Sequence, residues 1–225
     1  MASLFRSSVV RVSRPLRQFH TAAPVASHIG RTQLSYGQDV TITHDATPIT
    51  TPRISSERDN TMLTVTGPLG TLKMPIKPFV KLQFTSSTGE DAENILQVSV
   101  EDETIKQQRA MWGTTRNLIN NMIVGVSEGY RMQLRLVGVG YRGVLENDRT
   151  LSLKLGYSHP VVIPIPEGIT CTVPQPNRVL LQSSDLQKVT QLAATIQSWR
   201  KPEPYNQKGI FINDETIKKK EGKKK

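Results

Sequence analysis

The sequence predicts an α+β protein with two tandem, similar domains, each a small, mainly antiparallel sheet packed against one helix. In each half of the chain, short strand-like runs follow one another without an intervening helix, which is typical of antiparallel sheets. Each set of runs leads to one long segment with apolar residues at helical spacing. This order occurs twice. It predicts a leader at 1–30, a first domain at 31–128, a second domain at 129–199 and a tail at 200–225.

The N-terminal segment has the composition of a mitochondrial transit peptide. It is rich in Arg and Ser, and the first acidic residue of the chain is Asp39. At helical spacing, its apolar residues share one face opposite several arginines. The residues on the apolar face are Phe5, Val9, Val12, Leu16 and Phe19. We therefore expect import into the mitochondrial matrix and removal of the leader, the alternative being a basic arm that is retained and binds RNA.

The first half contains four strand-like runs and one helix. The runs lie at 62–65, 71–75, 80–85 and 95–101. A capping box of Thr104 with Gln107 predicts the start of the helix, where Asp102 and Glu103 would favour the helix dipole, and Gly129 predicts its end. The predicted apolar stripe comprises Met111, Thr115, Leu118, Met122 and Val126. The preceding segment, 30–59, is weakly patterned, and we expect a partly extended lead-in there.

The second half repeats this arrangement. Its strand-like runs lie at 131–138, 141–145, 150–155, 161–164, 170–173 and 178–182. A second capping box, Ser184 with Gln187, precedes a helix. The predicted apolar stripe of that helix comprises Leu186, Val189, Ala193 and Ile196. Because an apolar stripe must be buried, each helix should pack on the strands of its own half.

Nothing in the sequence points to catalysis, a cofactor or a metal. The run at 138–143 has the glycine spacing of a dinucleotide-binding fingerprint, but strands are predicted after it where the fingerprint needs a helix. We interpret its glycines as bends between paired strands. Cys171 is the single cysteine, and the four histidines offer no catalytic set. We therefore predict a protein that is not an enzyme, with no catalytic, cofactor-binding or metal-binding residue, and no membrane anchor.

Positive charge is concentrated at the two ends of the chain. The net charge is +10, whereas residues 32–199 hold 15 basic and 15 acidic residues. Within that middle part, residues 32–128 carry a net −3 and residues 129–199 a net +3. The second half and the tail should therefore be the side that binds a polyanion.

The C-terminal segment combines bases, prolines and one aromatic ring. Its prolines are expected to hold the backbone extended, so that the bases meet phosphates and the tyrosine ring stacks on a base. The candidate RNA-binding residues are Arg200, Lys201, Pro202, Pro204, Tyr205, Lys208, Gly209, Lys218, Lys219 and Lys220. The alternative is a solubilising tail, which would explain the lysines but not the prolines.

A loop between two predicted strands supplies a second set of candidate RNA-binding residues. They are Tyr157, Ser158 and His159. The His159 ring can stack on a base or donate a hydrogen bond to a phosphate. The alternative is a loop histidine bonded only to backbone.

Several motifs resemble those of the universal large-subunit ribosomal protein six family, in its bacterial and mitochondrial form. They are Trp-Gly-Thr at 112–114, Met-Ile-Val-Gly-Val at 122–126, Glu-Gly-Tyr at 128–130, the runs 136–142 and 155–160, and the C-terminal stretches 200–205 and 208–209 with the lysine tail. The resemblance covers residues 60–225. The family usually has Lys-Gly-Lys-Gly after its Pro-Glu-Pro-Tyr run, whereas this chain has Asn206-Gln207-Lys208-Gly209, so one base and one glycine are missing.

The resemblance implies binding to large-subunit ribosomal RNA, mainly through the C-terminal domain and tail, near the sarcin–ricin loop where translational GTPases dock. The implied partners are that RNA, neighbouring mitochondrial ribosomal proteins and the GTPases nearby, and no homo-oligomer is expected. A matrix RNA-binding factor for ribosome assembly or regulation is the main alternative, since its surface chemistry would look the same.

Overall fold

The computed structural model describes residues 28–49, 59–86 and 94–222. The amphipathic leader helix predicted from the sequence lies outside these ranges. The helices are α1 His28–Arg31, α2 Lys106–Ser127 and α3 Leu186–Trp199. The strands are β1 Leu34–Tyr36, β2 Thr41–Asp45, β3 Thr61–Gly67, β4 Gly70–Ile76, β5 Val80–Ser86, β6 Asn94–Val100, β7 Tyr130–Val137, β8 Arg142–Asn147, β9 Thr150–Lys154, β10 Val161–Pro164, β11 Ile169–Gln175, β12 Arg178–Ser183 and β13 Gly209–Ile212.

The predicted fold class is confirmed. Every strand-like run predicted from the sequence is present, as β3 to β12, and all pairings between the described strands are antiparallel. Three short strands were not predicted. Two of them, β1 and β2, lie in the segment expected to be a lead-in, and β13 lies in the predicted tail.

The two halves repeat one arrangement of strands. In the first half, the sheets have the orders β1-β6-β5 and β2-β3-β4. In the second half, β7, β12 and β11 occupy the order of the first sheet, and β8, β9 and β10 that of the second. The second half adds β13 beside β7, a strand that has no counterpart among the described residues of the first half.

Each half buries its own apolar core beneath its helix. Trp112 and Ile119 of α2 point inward, and the Trp112 ring nitrogen donates a hydrogen bond to the Val98 carbonyl oxygen at 2.7 Å. In the predicted stripe, Thr115, Met122 and Val126 are buried as expected, whereas Leu118 is 41% exposed and the adjacent Ile119 is buried instead. The buried residues of α3 are Val189, Leu192, Ala193 and Ile196.

The capping box predicted for α2 is wrong. The helix has no side-chain cap, and Thr104, which was paired with Gln107 in the prediction, lies before it. The Thr104 backbone N–H and hydroxyl both donate to the Asp102 carboxylate, at 2.8 and 2.6 Å, and these bonds lower the pKa of Asp102. Asp102 and Glu103 also precede the helix, whose first turn contains no acid. Thr104 therefore forms a local turn with the Asp102 carboxylate and does not cap the helix.

The cap of α3 lies one residue later than predicted. The N-cap is Asp185, not Ser184, and its carboxylate accepts hydrogen bonds from the Gln187 N–H at 2.9 Å and from the next N–H at 3.3 Å. A carboxylate is a stronger acceptor for these N–H groups than a hydroxyl, because its charge also favours the helix dipole.

The two halves meet where the end of α2 packs on the loop before α3. Gly125 lies against the backbone carbonyl oxygen of Ser184, with no room for a Cβ atom. The Tyr130 hydroxyl donates to the Asn121 carbonyl oxygen at 3.1 Å, which joins the start of β7 to α2. The second domain is therefore seated directly on the last turns of the helix of the first.

The segment around α1 is built into the first domain. A Cβ atom at Gly30 would lie 2.6 Å from the Trp112 ring, so the backbone packs directly on that side chain. Arg116 of α2 donates to the Thr32 carbonyl oxygen at 3.3 Å, and Leu34 is 2% exposed. These contacts place Gly30, Thr32 and Leu34 against the first domain, at the boundary that the sequence predicts between leader and domain.

Candidate nucleic-acid interface

The glycine-rich run forms a turn between β7 and β8. The sequence interpretation placed this bend between paired strands, but β7 pairs with β12 and β13 and β8 pairs with β9, so the run joins two sheets. The Tyr141 N–H donates to the Gly138 carbonyl oxygen at 3.3 Å, and Gly140 has a φ of 73°. Gly143 lies on β8, where an added Cβ would be 3.1 Å from the Leu153 side chain. Because a strand follows the run, it lacks the helix that a pyrophosphate site requires.

The loop after β9 and the end of α3 meet in an aromatic and cationic cluster. The rings of Tyr157 and His159 are stacked, with centroids 5.9 Å apart and an interplanar angle of 19°. The guanidinium carbon of Arg200 lies 5.7 Å from the Tyr157 ring centroid. The Tyr157 hydroxyl donates to the Trp199 carbonyl oxygen at 2.6 Å, which holds the loop against the helix. This hydrogen bond joins residues 42 positions apart in the sequence. The fold thus brings together the two sets of candidate residues.

Arg200 gives this cluster a positive charge that forms no ion pair with a described carboxylate. The hydrogen bond with Tyr157, and next the charge interaction with Tyr141, raise the pKa of Arg200, so its guanidinium stays charged. The ion pairs among the described residues join Arg31 with Glu103, Lys81 with Glu101 and Arg149 with Glu167. None of these pairs neutralises a base between Arg200 and Lys220, so those charges are available to an external anion.

The proline segment does not run extended, as the sequence predicts, but folds into a closed loop. The Glu203 N–H donates to the Lys208 carbonyl oxygen at 2.9 Å, and the Ile210 N–H donates to the Arg200 carbonyl oxygen at 2.9 Å. Between these bonds the chain turns at residues 204–206. The prolines fix local φ, but the paired backbone bonds on both sides reverse the chain direction.

The predicted tail is partly a structural element of the second domain. Residues 209–212 pair with β7 as β13, with Ile210 fully buried and Phe211 6% exposed. Three successive apolar residues inside a basic segment were the sequence signal for this strand. Residues 209–212 therefore belong to the sheet of the second domain, and the lysine-rich tail follows them.

The candidate residues differ in their access to solvent. Tyr157 is 41% exposed and Tyr205 is 54% exposed. The other exposed candidates are Ser158, His159, Arg200, Lys201, Lys208, Lys218, Lys219 and Lys220. Pro202 and Pro204 are half-buried and Gly209 is buried, so these three shape the loop that carries the bases.

Two further bases of the second domain escaped the sequence analysis. Arg142 on β8 pairs directly with Lys154 on β9, and both are exposed. Like charges in adjacent strands repel each other, and neither base forms an ion pair with a described carboxylate. They add to the positive surface of the same domain. No local pattern could have found this pair, because the register between two strands is not visible in either strand alone.

Within the described residues, no helix is long and apolar enough to cross a membrane. No group of three or more His, Cys, Asp and Glu side chains in those ranges could hold a metal ion.

The sequence profile described as ribosomal protein L6 matches this chain twice, at residues 54–129 and 137–211. The chain belongs to the ribosomal protein L6 family. The two matches coincide with the two halves of the fold, so the resemblance noted from the motifs is confirmed.

Relatives in this family are named as proteins of the large ribosomal subunit. The large ribosomal subunit protein uL6m of Neurospora crassa is 41% identical over 224 residues, which cover 92% of this chain and 83% of that protein. The large ribosomal subunit protein uL6 of Carboxydothermus hydrogenoformans is 44% identical over 177 residues, or 78% of this chain and 92% of that protein. The uL6 protein of Zymomonas mobilis is 45% identical over 164 residues, which cover 73% of this chain and 88% of that protein.

Proposed function

We propose that this protein is a structural constituent of the mitochondrial large ribosomal subunit, in the mitochondrial matrix. The observation that carries the proposal is the 41% identity with the mitochondrial uL6m protein over 92% of this chain. The double family match supports the same conclusion, because both halves of the fold are covered. The protein contributes to the structure of the subunit by binding its other components, and it catalyses no reaction.

We further propose that the second domain and tail bind large-subunit ribosomal RNA near the sarcin–ricin loop. Support comes from the unpaired Arg200, stacked on Tyr157 beside His159. Arginine provides a fork of donors for phosphate, and aromatic rings stack on unpaired bases. The lysines of the tail extend the positive surface. The first domain, with its net −3 over residues 32–128, faces away from the RNA, towards neighbouring ribosomal proteins, whereas the translational GTPases dock near the RNA site.

Sedimentation tests this function. A structural constituent should cosediment one to one with mature mitochondrial large subunits after a high-salt wash, whereas an assembly or regulatory factor should be substoichiometric or leave the particle. Quantitative mass spectrometry of the washed subunit fraction measures the ratio, with a known constituent of the same subunit as the internal standard. A ratio well below one would favour the factor and reject the proposed function.

The same fraction tests where the leader ends. We propose that import removes a segment that ends before Ile29, because Gly30 packs on the Trp112 ring and Arg116 holds the Thr32 carbonyl oxygen. Cleavage further along would strip these contacts from the first domain. N-terminal mass spectrometry of the mature protein should therefore show a first residue after Ala2 and at or before Ile29. A chain that begins at Gly30 or later contradicts this limit, and one that begins at Met1 or Ala2 contradicts removal of the leader.

A further inference from the structure

The segment after β13 is hydrogen-bonded to β7 and α3 of the second domain. Asn213 has a φ of 48°, and its side-chain oxygen accepts a hydrogen bond from the Gln133 N–H of β7 at 2.9 Å. The Glu215 carboxylate accepts one from the Gln197 side chain of α3 at 2.6 Å. Both contacts direct the chain back along its own second domain. The tail lysines that follow therefore start from a fixed position.

Gln207 makes the next contact along this path. Its φ is 54°, a left-handed conformation that is unusual for a residue other than glycine. Its side-chain nitrogen donates to the Ile217 carbonyl oxygen at 3.2 Å, and both residues are partly buried. Three residues later, the Lys220 N–H donates to the Pro204 carbonyl oxygen at 3.0 Å. The tail thus lies against the turn at residues 204–206. One hydrogen bond from the Gln207 side chain and one to the Pro204 carbonyl oxygen hold it there.

We propose that Gln207 is a positioning residue, which latches the lysine tail to this turn so that the tail meets RNA as a pre-ordered basic strap. The strap, residues 217–220, lies against the turn at residues 204–206, and Lys218, Lys219 and the Tyr205 ring are all exposed. An ordered arm binds more tightly than a free one because less conformational entropy is lost on binding. The partner is the RNA backbone, so the proposal rests on the proposed function.

Gln207→Ala is the decisive variant, since alanine keeps a Cβ at the same φ and removes the rest of the side chain with its amide donor. In the full-length protein, the Lys220 backbone amide should exchange with solvent about fivefold faster than in the wild type, the factor that one net hydrogen bond is worth. Asn206→Ala is the matched control in the same turn, and its Lys220 exchange should not change. Hydrogen exchange followed by mass spectrometry or NMR measures both.

Binding to a transcript of the mitochondrial sarcin–ricin region separates positioning from charge. Gln207→Ala should weaken the affinity about fivefold at fixed salt, while the dependence of log affinity on log salt keeps its slope, because no phosphate-binding charge is lost. Gln207→Gly, which is free of strain at a positive φ, should behave in the same way because it also lacks the donor. Agreement between the two variants would exclude a local misfolding effect of alanine.

Several outcomes would overturn the latch. Unchanged Lys220 exchange in both Gln207 variants would show that the side chain does not hold the tail. Faster exchange with unchanged RNA affinity would show that the ordering plays no part in binding. A wild-type protein that does not bind the transcript at all rejects the proposed RNA site, and in that case the exchange data still decide whether Gln207 orders the tail.

Discussion

Replacing Gly209 with alanine should destabilise the second domain by about 2–6 kcal/mol. Gly209 has a φ of 145°, and an added Cβ would lie 2.5 Å from the Pro202 Cα. Strain at such a φ costs about 1–3 kcal/mol, and overpacking against backbone adds roughly 1–3 kcal/mol. The alanine would push the proline loop away from β13, whose Ile210 is fully buried. The stability of the second domain and the position of the loop that carries the RNA-binding bases therefore both depend on Gly209.

Cys171 provides the measurement for Gly209→Ala. It is the single cysteine of the chain, it lies in the core of the second domain, and burial raises the pKa of its thiol to about 11. Because the thiolate is the reactive form, alkylation near neutral pH requires the domain to open. Gly209→Ala should raise the alkylation rate by tenfold or more, the factor that roughly 1.4 kcal/mol corresponds to.

Two glycines serve as controls for this experiment. Gly140, in the same domain, has a φ of 73° but open space around it, so Gly140→Ala measures strain without a clash. Gly70 has a φ of 140°, close to that of Gly209, also in open space, but it lies in the first domain. Gly70→Ala should leave Cys171 alkylation unchanged. Equal rates for Gly209→Ala and Gly140→Ala would contradict the role assigned to the Pro202 contact.

The buried β13 also changes how the tail should be tested. Deleting everything from residue 200 removes Ile210 and Phe211, and therefore part of the core of the second domain. Loss of such apolar side chains costs several kcal/mol, so a failure to bind RNA would report unfolding. Substitution of single exposed residues keeps the core intact and reports binding.

Local patterns in the sequence were sufficient to predict most of the fold. The strands β3 to β12 are bounded by turn residues and contain alternating or β-branched side chains, so each carries its own signal. The helices carry the 3.6-residue period, although at one position of the α2 stripe the buried residue is Ile119 and not the predicted Leu118. The repetition of the whole order then predicted two similar domains.

Features that depend on distant parts of the chain were not predictable. The strand β13 pairs with β7, which lies more than 70 positions earlier, as in the pair Gly209 and Val137. The stacking of Arg200 on Tyr157 likewise depends on how α3 lies against a loop of another sheet. The sequence identified the residue types in the candidate site, but the closed path of the proline segment needed the backbone bonds of Glu203 and Ile210.

Tyr157→Ala should weaken binding to the sarcin–ricin transcript by about 1–3 kcal/mol, the usual effect of removing an aromatic ring that stacks on a base. The ring also supports Arg200 and stacks on His159. Arg200→Gln should lower the slope of log affinity against log salt by roughly 0.9, since one phosphate contact is lost. If the ring positions the guanidinium, Tyr157→Ala should lower the slope as well.

A double-mutant cycle decides whether the two side chains act together. The loss in the Tyr157→Ala, Arg200→Gln double variant should be smaller than the sum of the single losses, because the residues are in contact. Tyr157→Phe should fall between the wild type and the alanine variant, since it keeps the ring and loses only the hydrogen bond to the Trp199 carbonyl oxygen.

Phe84→Ala is the matched control for the ring. Phe84 is 46% exposed, similar to Tyr157, but it lies on β5 of the first domain. Its removal should leave RNA affinity and salt slope unchanged, because that domain is proposed to face away from the RNA. Equal losses for Phe84→Ala and Tyr157→Ala would place the RNA on both domains.

Additive losses in the double variant would show that Tyr157 and Arg200 bind independently, and the positioning role of the ring would then be wrong.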